Sequence, residues 1–444
     1  MKEDNKLKDF FIDRLKFERY RLDIVISMPK KGKQKAKQTV ETEEDELAFL
    51  EAAAAANQAA KAEQAAKQEQ KQDQNGSSQM ELPNLPPKPS DDHPDRKFTP
   101  GEYLEYKDEA IGHRSTNAEL KQIEIQEFEE TILPDLREGA EVHRRVRHWA
   151  MENIIKPGVN LHEMCGAIEE ATRRLTGYQP IVRGLAFPCG CSINNEAAHY
   201  TPTHNDGRVL GQSDIMKVDF GVNINGHIID SAFSVCFDDR FKPLLDCTRE
   251  ATNTGIRESG IDARLAEIGE AIQEVFDAGT IEINGKIHQI KPITNLSGHL
   301  MRPYTIHAGK SIPICKGGTP GKMEQGELYA CETFGSTGKG RVHDDTTLSH
   351  YMVSPNPPTP RTPQGRKLLK FLQDNFTTLA FCPRMIEHAG EKKYQIPLRQ
   401  LCECGAVVPY PTLSDVAGSY VAQFEHSFIL LPTHKEVLSR GDDY

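Results

Sequence analysis

The stretch Val218 to Phe233, VDFGVNINGHIIDSAF, decides the fold. Asn225-Gly226 is the strongest two-residue hairpin signal, because both turn positions need φ > 0. With those two residues as the loop, Ile224 faces His227, Val222 faces Ile229, Asp219 faces Ala232 and Val218 faces Phe233. Side chains alternate along a strand. One face then carries Val218, Phe220, Val222, Ile224, Ile229 and Phe233, and the other carries Asp219, Gly221, Asn223, Asp230 and Ser234. A one-residue slip would scramble this separation. Asp230 lies diagonally across from Asp219, roughly 7–8 Å away, near enough to share a small site. Two bare carboxylates that close repel each other, and a cation removes the penalty. The plainer alternative is an exposed face with two solvated aspartates.

Around this hairpin, strand candidates are Ile181–Phe187, Glu327–Phe334 and Tyr420–Leu431, with helix candidates Lys242–Ser259 and Leu265–Gly279 between them. Leu120–Ile132, Leu136–Ile155 and Leu161–Thr176 also read as helices. Hairpins mixed with long helices, without strict βαβ alternation, predict an α+β fold. Residues 354–363 are a proline-rich break, and the helical stretch 364–405 reads as an insertion ahead of the last strands.

The first 110 residues have a different character. Five lysines fall in 30–37 and five acids in 41–46. An Ala/Gln/Lys/Glu stretch without an apolar face follows, then LPNLPPKPSDDHPD with five prolines. This predicts a low-complexity, disordered tail over 1–110 and a catalytic domain over 111–444, with ordered sequence from near Gly112. The tail is read either as a solubilising extension or as a docking segment for an anionic partner. Met28 reads as a second possible start.

Net charge is −11, which disfavours a nucleic-acid binder, so no specific DNA binding is expected. Ten cysteines in 444 residues are ordinary usage and predict reduced thiols in the cytoplasm. No apolar run approaches the roughly 20 residues that cross a bilayer, so no membrane is expected. GSTGKG at 335–340 lacks the Ser or Thr that a P-loop needs after Gly-Lys.

Four more stretches offer ligands: AAHYTP (His199), NLSGH (His299), ETFGSTGKG (Glu332) and QFEHSF (Glu425). With GLAFPCGCSINNEAAHYTP, KVDFGVNINGHIIDSAF, YTIHAGK, VHDD…SHYM, QFEHSFILLP and SRGDDY, residues 112–444 resemble the type 2 eukaryotic methionine aminopeptidases. The resemblance implies the pita-bread fold, two similar halves around a curved antiparallel sheet. It implies a dinuclear centre of Asp219, Asp230, His299, Glu332 and Glu425, holding two divalent ions such as cobalt, manganese, zinc or iron. Asp230 and Glu425 would bridge the ions and Asp219 would chelate one. Carboxylates with one imidazole suit hard-to-borderline cations. It implies catalytic roles for His199, His307, Glu332 and His350, and a methionine pocket around Phe187, Ile306, His307 and Tyr410. The implied activity is hydrolysis: removal of the initiator methionine from nascent proteins with a small second residue, by a monomer that uses its tail at the ribosome. Leu300–Pro303 and THNDG at 203–207 depart from the family pattern. Competing readings are an Xaa-Pro peptidase of the same fold and a metal-free ribosome- or RNA-binding relative.

Overall fold

Asn225 and Gly226 take φ values of 54° and 91°, the left-handed conformations that the turn demands. The flanking strands Ile215–Ile224 and His227–Cys236 pair in the expected register, with Val222 opposite Ile229, Asp219 opposite Ala232 and Val218 opposite Phe233. Gly226 is required a second time by packing, since a Cβ there would lie 2.4 Å from the Tyr304 ring. The apolar face, with Val218, Phe220, Val222, Ile224, Ile229 and Phe233, is buried in the largest hydrophobic core.

The structure, a computed structural model, describes residues 80–107, 118–318 and 320–444. Residues 78–444 form one compact unit. The lysine block, the acidic block and Met28 lie outside the described residues.

Two of the sheets in this unit are each backed by a helix pair. The hairpin takes Arg183–Ile193 as its third strand. Helices Leu133–Asn153 and Leu161–Thr176 pack on this sheet. Pro134 sits in the first turn of the first helix, where its missing N–H costs nothing. Asn160 caps the second, accepting from His162 N and Glu163 N, and Gly177 closes it in a left-handed conformation. The larger sheet runs Glu102–Glu105, His434–Val437, Val421–Leu430, Leu328–Ser336, Ser297–Met301, Ser311–Pro313, and Lys291–Pro292 also pairs with Leu328–Ser336. Helices Lys242–Glu258 and Leu265–Ala278 cover it with a second core. This is the mixed α/β architecture with antiparallel sheets that the sequence predicts.

A third sheet pairs His343–Val353 with Val407–Ser414 and Glu196–Ala198, and sets His350 opposite Tyr410. These strands escape the sequence reading, because exposed polar and proline residues interrupt their alternation. Within 364–405 lie the helices Pro383–His388 and Gln395–Glu403 and all but the first residue of Pro363–Phe376; Leu372, Phe381, Ile386 and Leu401 form their own core.

The ordered unit begins earlier than the composition predicts. Residues 80–107, assigned to the tail, hold the strand Glu102–Glu105, which pairs with His434–Val437. Trp149 Nε1 donates to Pro83 O at 2.7 Å, and Arg96 pairs with Asp135 and Glu138. A proline-rich segment held by side chains of its neighbours has no period of its own, which is why composition misplaces it.

Asp135 ties this segment to the hairpin turn, meeting Arg96, Asn225 Nδ2 and His227 Nδ1. Burial alone would raise its carboxyl, but hydrogen bonds from His227, Arg96 and Asn225 outweigh burial and hold it below the ordinary value. Its contribution to stability is therefore complete above about pH 4 and is lost as the pH falls through its folded-state pKa. We expect Asp135→Asn to flatten the melting-temperature profile below about pH 4. We also expect truncation at residue 110 to melt about 5 °C or more below truncation at residue 79 in calorimetry.

Candidate metal centre

Register brings one set of ligands to a single face. Glu332 and Glu425 lie directly opposite each other on neighbouring strands, and His299 lies opposite Ala330, two residues before Glu332. Residues two apart share a face. His299, Glu332, Glu425 and Gln423 therefore point the same way. Asp219 and Asp230 come from the other sheet.

Serine hydroxyls join the two sheets where no backbone ladder does. Ser427 Oγ donates to Asp230 O at 2.7 Å and accepts from Asp230 N at 2.8 Å. Ser234 Oγ donates to Gln423 O at 2.9 Å and accepts from Gln423 N at 2.8 Å. Ser231 Oγ donates to Glu425 O at 2.7 Å. Asp230 thus meets Ser427 and Ser234 meets Gln423, a four-residue step in both strands that antiparallel alignment requires. The carboxylates are held together through the backbones that carry them.

The result is a dense group of acids. Asp230, Glu425 and His299 are buried, and Asp219 and Glu332 are half-buried at the wall of a cleft. His299 Nε2 lies 3.5 Å from Asp230 Oδ2 and 3.9 Å from Glu332 Oε1. Asp230, His299 and Glu425 each place a ligand atom within 4.8 Å of the others'. Gln423 Nε2 lies 3.2 Å from both Asp219 Oδ2 and Glu332 Oε2. Burial pushes the Asp230 carboxyl above its ordinary value. Burial and the neighbouring acids push Asp219, Glu332 and Glu425 well above theirs. Burial takes the His299 imidazole down to about 4, so near neutral pH it is an uncharged nitrogen donor.

Asp219 Oδ1 and both Glu425 carboxylate oxygens have no hydrogen-bond partner among the described residues. Leaving buried carboxylate oxygens unpaired costs several kcal/mol unless a counter-charge meets them. Oxygens of this kind around one neutral imidazole fit divalent cations. The donor set and its electrostatics therefore suit metal binding. A second group, His148, Asp442 and Asp443, lies at the surface, and Arg147 already takes both Asp443 oxygens at 2.7 Å.

The cleft measures about 790 Å³ including its mouth and is lined by every residue the sequence singles out: Phe187, His199, Asp219, Asp230, His299, Ile306, His307, Glu332, His350, Tyr410 and Glu425. His199 holds a φ of 63°, a strained conformation for a residue with a side chain. Ser349 supports it, donating to His199 O at 3.0 Å while contacting His350 Nδ1 at 3.1 Å. Burial lowers His199 to about 4 and His350 to about 3, so both rings are neutral near pH 7. Arg384 from the insertion braces this corner, reaching Glu169, Pro202 O and Thr201 Oγ1. Phe187 crosses the hairpin at Gly221, where a Cβ would lie 2.2 Å from its ring.

Of the residues that the sequence reading sets apart from the family pattern, Leu300 and Met301 are buried in the cores, while Arg302 and Pro303 are exposed. Asp206 of the 203–207 loop is held by Tyr200 and Arg208. Gln423, Lys217, Ser192, Met352 and Ala380 also line the cleft and were not singled out. Gln423 was legible, because it sits two residues before Glu425. Met352 and Ala380 carry no chemical signal of their own.

The metallopeptidase family M24 model matches residues 134–349. Methionine aminopeptidase 2-2 of Aspergillus terreus is 49% identical over 359 residues, covering 79% of this chain and 80% of that protein. Methionine aminopeptidase 2A of Arabidopsis thaliana is 48% identical over 354 residues, 79% of each chain. Methionine aminopeptidase 2 of Schizosaccharomyces pombe is 49% identical over 352 residues, covering 79% and 82%. Among solved structures, that of a thermophilic Arx1 superposes with a TM-score of 0.60 at 17% identity, over 71% of this chain and 92% of that one, a likeness of fold.

Removing one acid from a repelling group relieves the rest. We expect Glu425→Gln to raise the melting temperature of metal-stripped protein. The same variant is expected to lose the rise that saturating manganese produces in the wild type. Thermal shift with and without the metal reads both.

Proposed function

The chain belongs to metallopeptidase family M24 and to its methionine aminopeptidase 2 branch, and from this we propose how its own residues remove the initiator methionine from proteins with a small second residue. It is a metal-dependent aminopeptidase. The observation that carries the residue assignment is the convergence of Asp219, Asp230, His299, Glu332 and Glu425, with carboxylate oxygens left unpaired. These five residues would hold two divalent cations, of cobalt, manganese, zinc or iron. When bound, such ions polarise the scissile carbonyl and make water a usable nucleophile near neutral pH.

Each remaining step falls to side chains. Glu332, held at one oxygen by Gln423, takes the proton of the attacking water. His199 and His307 face the cleft and hydrogen-bond the carbonyl oxygen as it gains charge. His350, held by Ser349, completes that wall. Phe187, Ile306 and Tyr410 receive the methionine side chain. Neutral imidazoles suit this task, because they donate without adding a charge that would compete with cations.

No helix among the described residues is long and apolar enough to cross a membrane. All ten cysteines are free, which supports a reducing compartment, the cytosol. The lysine and acidic blocks are proposed to aid ribosome association, and the catalytic unit to act as a monomer on nascent N-termini.

The test uses the full chain loaded with manganese. We expect it to release methionine from Met-Ala-Ser and to leave Xaa-Pro dipeptides uncut. Glu332→Gln should lower kcat by about 10²–10⁴-fold. Turnover of neither peptide, with no bound metal, would favour the binding-module reading.

A further inference from the structure

Gln423 has no assigned part in the chemistry, yet it is completely buried in the wall of the cleft. Its backbone is immobilised on both sides, since Ser234 Oγ bonds Gln423 N and Gln423 O. Its amide nitrogen has two hydrogens and two acceptors: Asp219 Oδ2 and Glu332 Oε2, each at 3.2 Å. With both acids ionised to hold cations, turning the amide over would set a carbonyl oxygen against two carboxylates and lose both hydrogen bonds, so the two acids determine its orientation.

One of those carboxylates comes from the hairpin and the other from the larger sheet. Gln423 is thus a single rigid link between acids that belong to different sheets. It also engages one oxygen of each. The other is left over: Asp219 Oδ1 has no hydrogen-bond partner among the described residues, and Glu332 Oε1 faces His299 Nε2 at 3.9 Å.

We propose that Gln423 is a positioning residue that orients Glu332 towards the cations by holding its Oε2, and that keeps Asp219 and Glu332 in fixed relation across the sheet junction. This rests on the metal-centre reading above. A glutamate of the same size would bring another negative charge and no donor. A methionine would keep the volume and neither hydrogen bond. An asparagine would keep the amide but shorten its reach by one methylene.

The experiment loads the full chain, metal-stripped, with cobalt, and follows binding by calorimetry and coordination by visible absorption. It compares wild type, Gln423→Met and Gln423→Asn, with circular dichroism to confirm folding. Should the methionine variant fail to fold, the asparagine variant carries the test. We expect cobalt affinity to fall by about 10–100-fold in the methionine variant, the range for partners that orient metal ligands. We expect the cobalt absorption bands to shift in both variants, because Asp219 and Glu332 are no longer held in fixed relation. A purely structural role would lower melting temperature and leave the spectrum alone. An unchanged spectrum in folded variants, whatever the affinity, overturns the proposal, as does wild-type affinity. A wild-type chain that takes up no cobalt would remove the metal-centre reading, and this inference with it.

Discussion

The molecule depends on bringing two sheets close enough for their acids to meet, against the repulsion of those acids. Hydroxyls of Ser234 and Ser427 do this by bonding both the N–H and the C=O of a residue on the opposite strand. A serine hydroxyl donates once and accepts twice, so one side chain satisfies two backbone groups that would otherwise be buried unpaired. Because Asp230 and Gln423 are among the residues held, the junction and the site are one structure. The apolar faces behind them, each covered by a helix pair, supply the burial that offsets the electrostatic cost.

That cost is the functional signal. A fold selected for stability alone would have no reason to keep four acids within a few ångströms and leave carboxylate oxygens unpaired. Here burial and mutual repulsion raise the carboxyls, while burial lowers the facing imidazoles. Both shifts are relieved by cations: acids ionise to hold them, and neutral imidazole nitrogens have a lone pair to give. The cleft beside this group is closed by His199 in a strained backbone conformation, and the surrounding bonds of Ser349, Thr201 and Arg384 hold it there. Those bonds, and not the strain, make the loop a fixed wall.

The amino-acid sequence alone determined the hairpin, its register and its two faces, because an Asn-Gly turn and a period of two leave no other alignment that buries the apolar residues. It also pointed to every proposed ligand, through stretches that resemble a known family. It misjudged where the ordered unit starts, since residues 80–107 gain their order from Trp149, Asp135 and the strand His434–Val437, all distant in the chain. It passed over Gln423, although period two placed that residue beside Glu425. The resemblance implied that the Asp219–Asp230 face and the Glu332–Glu425 face meet, but only the tertiary structure decided how. The serines that join them look like any others in a strand, and a hydrogen bond between side chain and distant backbone leaves no pattern along the chain. Proximity across a sheet junction is set by packing, and packing is a property of all the elements at once.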